Sequence, residues 1–218
     1  MDGSAKRTVA FTAAALVLVA AGAGWLVRAD QREPRAAVRT PAAGQSETVA
    51  SPRPSESSSP SCGEVTHAFA PRAITVPGVV RDVAVVTPPR DENDVPGVPP
   101  FTAEGKTVFA WDREQGIRPG DPAGNVLLNA HTWPDGSALG NRLLAGLRRG
   151  DRIVVRGARA RLCYRVTERV EVLAERGLPR YYATDGRPQL AIVVCSGRRL
   201  GPGEWEKRTV WFASPSAA

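Results

Sequence analysis

Apolar residues fall along the chain in three regimes. Residues 9–27 (VAFTAAALVLVAAGAGWLV) form one charge-free run, preceded by Lys6-Arg7 and followed by Arg28. Such a run is about as long as a bilayer core requires of a spanning helix. The basic pair before it weakly favours a cytoplasmic N-terminus and an external remainder. The rival reading is a cleaved signal peptide, with Ala21-Gly22-Ala23 imitating a small-residue cleavage site. Trp25, Leu26 and Val27 continue the apolar run past that site, so an uncleaved anchor over 1–28 is expected. On either reading the rest of the chain is exported. Residues 29–66 are rich in Pro, Ser, Ala and Arg, with few large apolar side chains. Such a segment buries too little surface to offset its ordering entropy and reads as an extracellular spacer.

From about Phe69 the pattern becomes that of a folded domain, assigned here to 67–218. Short apolar runs over 73–76 and 83–86 are separated by turn chemistry at Pro77-Gly78. A Pro/Asp-rich loop over 87–100 leads to a run over 107–111. Asn125 to Ala130 is continuously apolar apart from its asparagines, as for a strand buried on both faces. Leu139, Leu143, Leu144 and Leu147 recur at helical spacing across 137–149, with Gly150 as a stop. Further strands are expected over 152–156, 162–170, 189–195 and 209–213. The sum is a mostly β domain: a closed or nearly closed barrel of about eight strands with one or two short helices, preceded by the transmembrane helix.

Charge changes this picture little. The net charge is +7 and is carried mainly by arginine, which suits an anionic envelope surface. The arginines are scattered with no interleaved aromatics, so nucleic acid is not expected as a partner. The three cysteines, Cys62, Cys163 and Cys195, include no C-x-x-C pair and no cluster with histidine. No zinc site and no cofactor is therefore expected. An odd count in an exported chain leaves two states open, three free thiols or one bridge with one free thiol. A Cys62–Cys163 bridge would pin the end of the spacer to the strand RLCYRV.

Only two histidines, His67 and His131, are available for acid–base chemistry. His131 stands where the run NVLLNA ends and the polar turn HTWPDG begins. Cys195 ends the strand QLAIVVC, and Arg208 opens the strand RTVWFA. Taken singly, each reads as structural: a hydrogen-bonded histidine, a small core residue, an edge charge. Together they supply what acyl transfer to a thiol needs. The attacking form is the thiolate, which requires a proton-transfer partner. The oxyanion formed on the attacked carbonyl requires a donor.

The order His, Cys, Arg and the segments GNVLLNAHTW (124–133), LAGLRRGDRIVV (144–155), AIVVCSG (191–197) and KRTVWFA (207–213) resemble sortases, nearest the class E and F groups of actinobacteria. PRAITVPGV (71–79) resembles the first strand of that domain. The resemblance implies a sortase β-barrel at the cell membrane, single-pass, with its catalytic domain outside. It implies an extracellular transpeptidase acting on secreted proteins with an LPxTG-like C-terminal sorting signal. Cys195 would form a thioester acyl-enzyme, His131 would move protons, and Arg208 would steady the oxyanion or the substrate backbone. An amine acceptor, such as a peptidoglycan precursor or another protein, would resolve the intermediate. In sortases the connection ending before the Cys strand walls the signal groove. Leu178, Tyr181 and Tyr182 are thus candidate substrate contacts, as is Trp133. Val194 replaces the threonine usual before the nucleophile and is a further candidate.

Two other classes fit less well. Other exported cysteine enzymes either carry a compact His/Gly-Cys motif or place Cys before His. A non-catalytic, membrane-tethered β-domain that binds wall material remains the alternative, and it predicts an unreactive Cys195.

Overall fold

The computed structural model describes Cys62 and residues 67–217. The expected helix over 9–27 and the spacer over 29–66 lie outside the described residues, Cys62 excepted. Among the described residues no helix is long and apolar enough to cross a membrane. Eight strands close into a barrel: β1 (Ala73–Val76), β2 (Val80–Val86), β3 (Phe109–Trp111), β4 (Asn125–Ala130), β5 (Arg152–Arg156), β6 (Arg161–Leu173), β7 (Gln189–Gly201) and β8 (Glu204–Pro215). Around the ring the order is β1-β2-β3-β4-β7-β8-β6-β5. Two neighbouring pairs, β2–β3 and β4–β7, are parallel, and the rest are antiparallel.

Strand alternation sorts side chains into two cores. Val126, Leu128 and Ala130 of β4 meet Leu190, Ile192 and Val194 of β7, with Trp211 and Ala213 of β8, inside the barrel. The opposite faces of the same three strands present Leu127, Ala191, Val210 and Phe212 to an outer cluster that also holds Tyr181. This outer cluster explains why β4 reads as continuously apolar: it is buried on both sides. The cover is the connection between β6 and β7, which includes two single-turn 3-10 helices, Ala174–Arg176 and Pro179–Tyr182. Asn125 fastens it by donating to the carbonyls of Arg180 and Tyr181 at 2.8 and 3.0 Å.

The one α-helix among the described residues, α1 (Leu139–Gly146), is shorter than the leucine spacing predicts. It stops before Gly150 because Arg148 folds its guanidinium back onto the carbonyls of Leu144, Ala145 and Leu147. Its main-chain N–H meanwhile goes to Asp151. Last-turn carbonyls lack partners within their own helix, and Arg148 supplies them. Buried Trp211 donates to the Leu147 carbonyl as well, at 3.2 Å, and ties the helix end to β8. The last two strands run well beyond their apolar stretches and form a long hairpin that continues past residue 195.

Helix α1 also braces the end of β4. The Gly140 N–H donates to the His131 carbonyl at 2.7 Å. A Cβ at position 140 would lie 2.5 Å from that oxygen and 2.5 Å from Thr132 Oγ1. Gly140→Ala is therefore expected to cost about 1–3 kcal/mol of stability, the usual range for forced overpacking. It should displace the turn that follows β4. Thermal or denaturant unfolding would check this, and an unchanged midpoint would mean the turn yields freely.

Candidate active site

Period-2 alternation carries the outer-core rows outward to a single rim. On β4 the row is Leu127, Asn129, His131; on β7, Ala191, Val193, Cys195; on β8, Phe212, Val210, Arg208. The registers align these rows: Leu127 with Ala191 and Asn129 with Val193 across β4–β7, then Ala191 with Phe212, Val193 with Val210 and Cys195 with Arg208 across β7–β8. The parallel ladder's last pair is Ala130 with Val194. One residue further on, His131 has just left β4 while Cys195, still within β7, pairs with Arg208 of β8. Thr132 locks them in step by donating its hydroxyl to the Cys195 carbonyl at 2.6 Å. Thiol, imidazole and guanidinium thus share one rim of one cavity of about 380 Å³.

His131 is buried, and its Nε2 lies 2.5 Å from the carbonyl of Pro99. A carbonyl only accepts, so Nε2 carries the proton and Nδ1 is left as the basic nitrogen. Phe101 lies over the ring, with centroids 4.5 Å apart. Both contacts come from the loop between β2 and β3. Its anchor is Arg90, which donates to the buried carboxylate of Asp112 and to Gln115. Gln115 in turn donates to the Tyr182 carbonyl at 2.9 Å. The same loop takes the Asn129 amide through the Gly97 carbonyl at 2.9 Å, leaving Asn129 Oδ1 buried without a partner.

Cys195 is the free thiol. Burial pushes its pKa up, and the Arg208 guanidinium opposes that shift. Burial pulls the His131 pKa down, against the effect of the Pro99 carbonyl. Thiol and imidazole are therefore both mainly neutral near pH 7, and the thiolate–imidazolium pair is a minority species. Ordinary values near 6.5 and 8.5 would already limit that pair to about 1%, and both shifts reduce it. Alkylation of Cys195 by a neutral reagent should accelerate with pH through a midpoint above the ordinary thiol value. Any activity needing thiolate and imidazolium together should show a broad plateau between the two displaced pKa values. A thiol midpoint below the ordinary value would contradict this electrostatic picture.

The remaining sequence candidates divide. Leu178, Tyr181 and Tyr182 all line the cavity. Tyr181 is also a core residue, donating its hydroxyl to the Leu128 carbonyl at 3.1 Å. Tyr182 is 47% exposed and free to meet a ligand. Val194 touches the cavity wall, but its side chain belongs to the inner barrel core, because it alternates with Cys195. Trp133 is not part of the wall; its ring lies under the Lys106 ammonium, 3.8 Å away, and its main chain is held by Asn141. The chain has turned away from the rim by that residue. Cys62 and Cys163 are bridged, with Cα atoms 5.5 Å apart. Sequence reasoning missed Phe101, Asn129 and Trp205, all of which line the cavity. Asn129 carried a visible signal, a polar residue within an apolar strand; the loop residue Phe101 carried none. Among the described residues no group of His, Cys, Asp or Glu could hold a metal ion.

This barrel, with a thiol within β7 and an imidazole just past the end of β4, has the sortase fold. It resembles the crystal structure of sortase C-1 from Actinomyces oris with a TM-score of 0.52 and 16% identity, over 67% of this chain and 71% of that one. The pilus-related sortase C of Group B Streptococcus gives 0.51 and 14%, over 70% and 69%. Sortase C1 from Streptococcus agalactiae gives 0.50 and 15%, over 67% of each chain. No family model and no curated relative matches the sequence.

Proposed function

We propose that this chain is an exported, membrane-anchored cysteine transpeptidase of the class E/F sortase kind, acting on proteins with an LPxTG-like C-terminal signal. The observation that carries this reading is the convergence on one cavity of His131, which follows the last β4–β7 ladder pair, with the ladder partners Cys195 and Arg208. In the first step the Cys195 thiolate attacks the carbonyl carbon of the signal's threonine or its equivalent. The carbonyl electrons move to oxygen, where Arg208 donates hydrogen bonds. As the oxyanion collapses, the C–N bond breaks. The leaving amine takes the proton from His131, leaving a thioester on Cys195. An incoming amine then loses its proton to His131, attacks the thioester carbonyl, and expels the thiolate. Water in place of the amine gives hydrolysis. Residues 9–27 hold the enzyme in the membrane, and its partners are sorted proteins and a cell-wall or protein amine.

The test is cleavage of quenched peptides bearing LPxTG-like signals by the full chain in detergent micelles, with and without an amine acceptor. Cleavage after the threonine that accelerates with amine is the expected result. No cleavage of any peptide, together with an unreactive Cys195, would favour a non-catalytic binding domain.

A further inference from the structure

The outward face of the β5–β6 hairpin breaks an ordinary rule for sheet surfaces. In its antiparallel register Arg152 lies opposite Arg165, and Arg156 lies opposite Arg161. Like charges directly across a strand pair destabilise it. Between the two rows sit Val154 and Cys163, and Cys163 carries the bridge to Cys62. Ile153, Val155 and Tyr164 point the other way, into the inner core, so the arginine rows lie outside the barrel. Residues 148–165 hold seven arginines against the single carboxylate of Asp151, a net +6 beside the whole chain's formal +7. Asp82 pairs with Arg156. Arg149, Arg159 and Arg161 form no ion pair among the described residues.

We propose that this face docks against the anionic lipid surface of the membrane from which the chain emerges. Charge complementarity is the first argument. The second is position: the bridge fixes Cys62, the described residue nearest in sequence to the apolar run 9–27, to the middle of the face between the arginine rows. A wall polymer would have no reason to share that point. The third is orientation. β5 and β1 stand across the ring from β4 and β7, so docking on β5–β6 leaves the side of the barrel that carries His131 and Cys195 turned away from the lipid, with β8 flanking the docked face. The inference rests on the membrane-anchored part of the proposed function.

Each arginine near an anionic surface strengthens docking about fivefold, and salt screens the effect. Replacing three of them, Arg149→Gln, Arg159→Gln and Arg161→Gln, should weaken docking about a hundredfold. The experiment is amide hydrogen exchange at the 157–160 turn of the full chain in nanodiscs of phosphatidylcholine alone or with phosphatidylglycerol. Exchange should slow at least about fivefold in the anionic discs. High salt should abolish the slowing, and so should the triple variant. A wild-type alkylation rate at Cys195 would show that the variant is folded. Equal exchange in both discs overturns the proposal. So does slowing by soluble polyphosphate in neutral discs with none from anionic lipid, which would mark a polymer site. Flotation separates the two readings. A chain that floats with anionic but not neutral vesicles supports docking and sinks the anchor.

Discussion

Cys195→Ala should eliminate amine-dependent peptide cleavage entirely, and His131→Ala should lower it by about 10²–10⁴-fold, the usual range for losing a positioned acid–base group. The asymmetry follows from the roles. Without the thiol no acyl-enzyme exists, whereas without the imidazole a thiolate still forms at high pH and the leaving amine draws its proton from water. His131→Ala should therefore leave alkylation of Cys195 within a few-fold of wild type while turnover collapses. Folding needs separate control, because the His131 carbonyl accepts from Gly140 and its ring packs beneath Phe101. The main-chain bond survives the substitution, so only the ring contacts are lost. Peptide kinetics and thiol labelling on the same preparations decide the matter. Full activity in either variant would remove these residues from the chemistry.

Much of this site was legible in the chain because its geometry is set by strand periodicity. Asn125–Ala130 reads as a buried run followed at once by His131, and Gln189–Cys195 as one that ends in a reactive residue; the structure likewise ends β4 one residue before His131. What sequence alone does not give is that the two strands are adjacent and parallel. That pairing joins residues 125–130 to 189–194, segments far apart in the chain, and no local pattern encodes it. The resemblance to sortases implies only a barrel in which His131 and Cys195 share a site. The departures have equally local causes. Trp133 is close to His131 in sequence but lies off the cavity wall, because the backbone turns at Thr132, whose hydroxyl binds the Cys195 carbonyl. Val194 reaches the cavity wall, yet its side chain packs in the inner core, because adjacent strand residues point to opposite faces. The β7–β8 extension was missed because residues 196–208 are charged on an exposed hairpin, where alternation with a core is absent. Phe101 was invisible for a different reason: its contact with His131 depends on the path of a loop held by Arg90 and Asp112, far apart in sequence from each other.

Arg208→Ala should lower turnover by about 10²–10³-fold, the cost of removing one oxyanion donor. Arg208 is the ladder partner of Cys195, and its Nη1 is held by the carbonyls of Trp205 and Lys207 at 3.2 and 3.1 Å. That grip fixes the plane of the guanidinium before substrate arrives, so little reorganisation accompanies the attack. The same charge lowers the Cys195 pKa against the effect of burial. The alanine variant should therefore show a further raised thiol midpoint and slower alkylation at neutral pH. Arg208→Lys separates the two contributions. It keeps the positive charge, so alkylation should stay near wild type, but a single ammonium cannot match the planar fork, so turnover should still fall. If both variants lost alkylation and turnover in equal proportion, Arg208 would act only through the thiolate. If lysine restored alkylation but not turnover, the guanidinium itself would have to meet the substrate, which is what an oxyanion donor does.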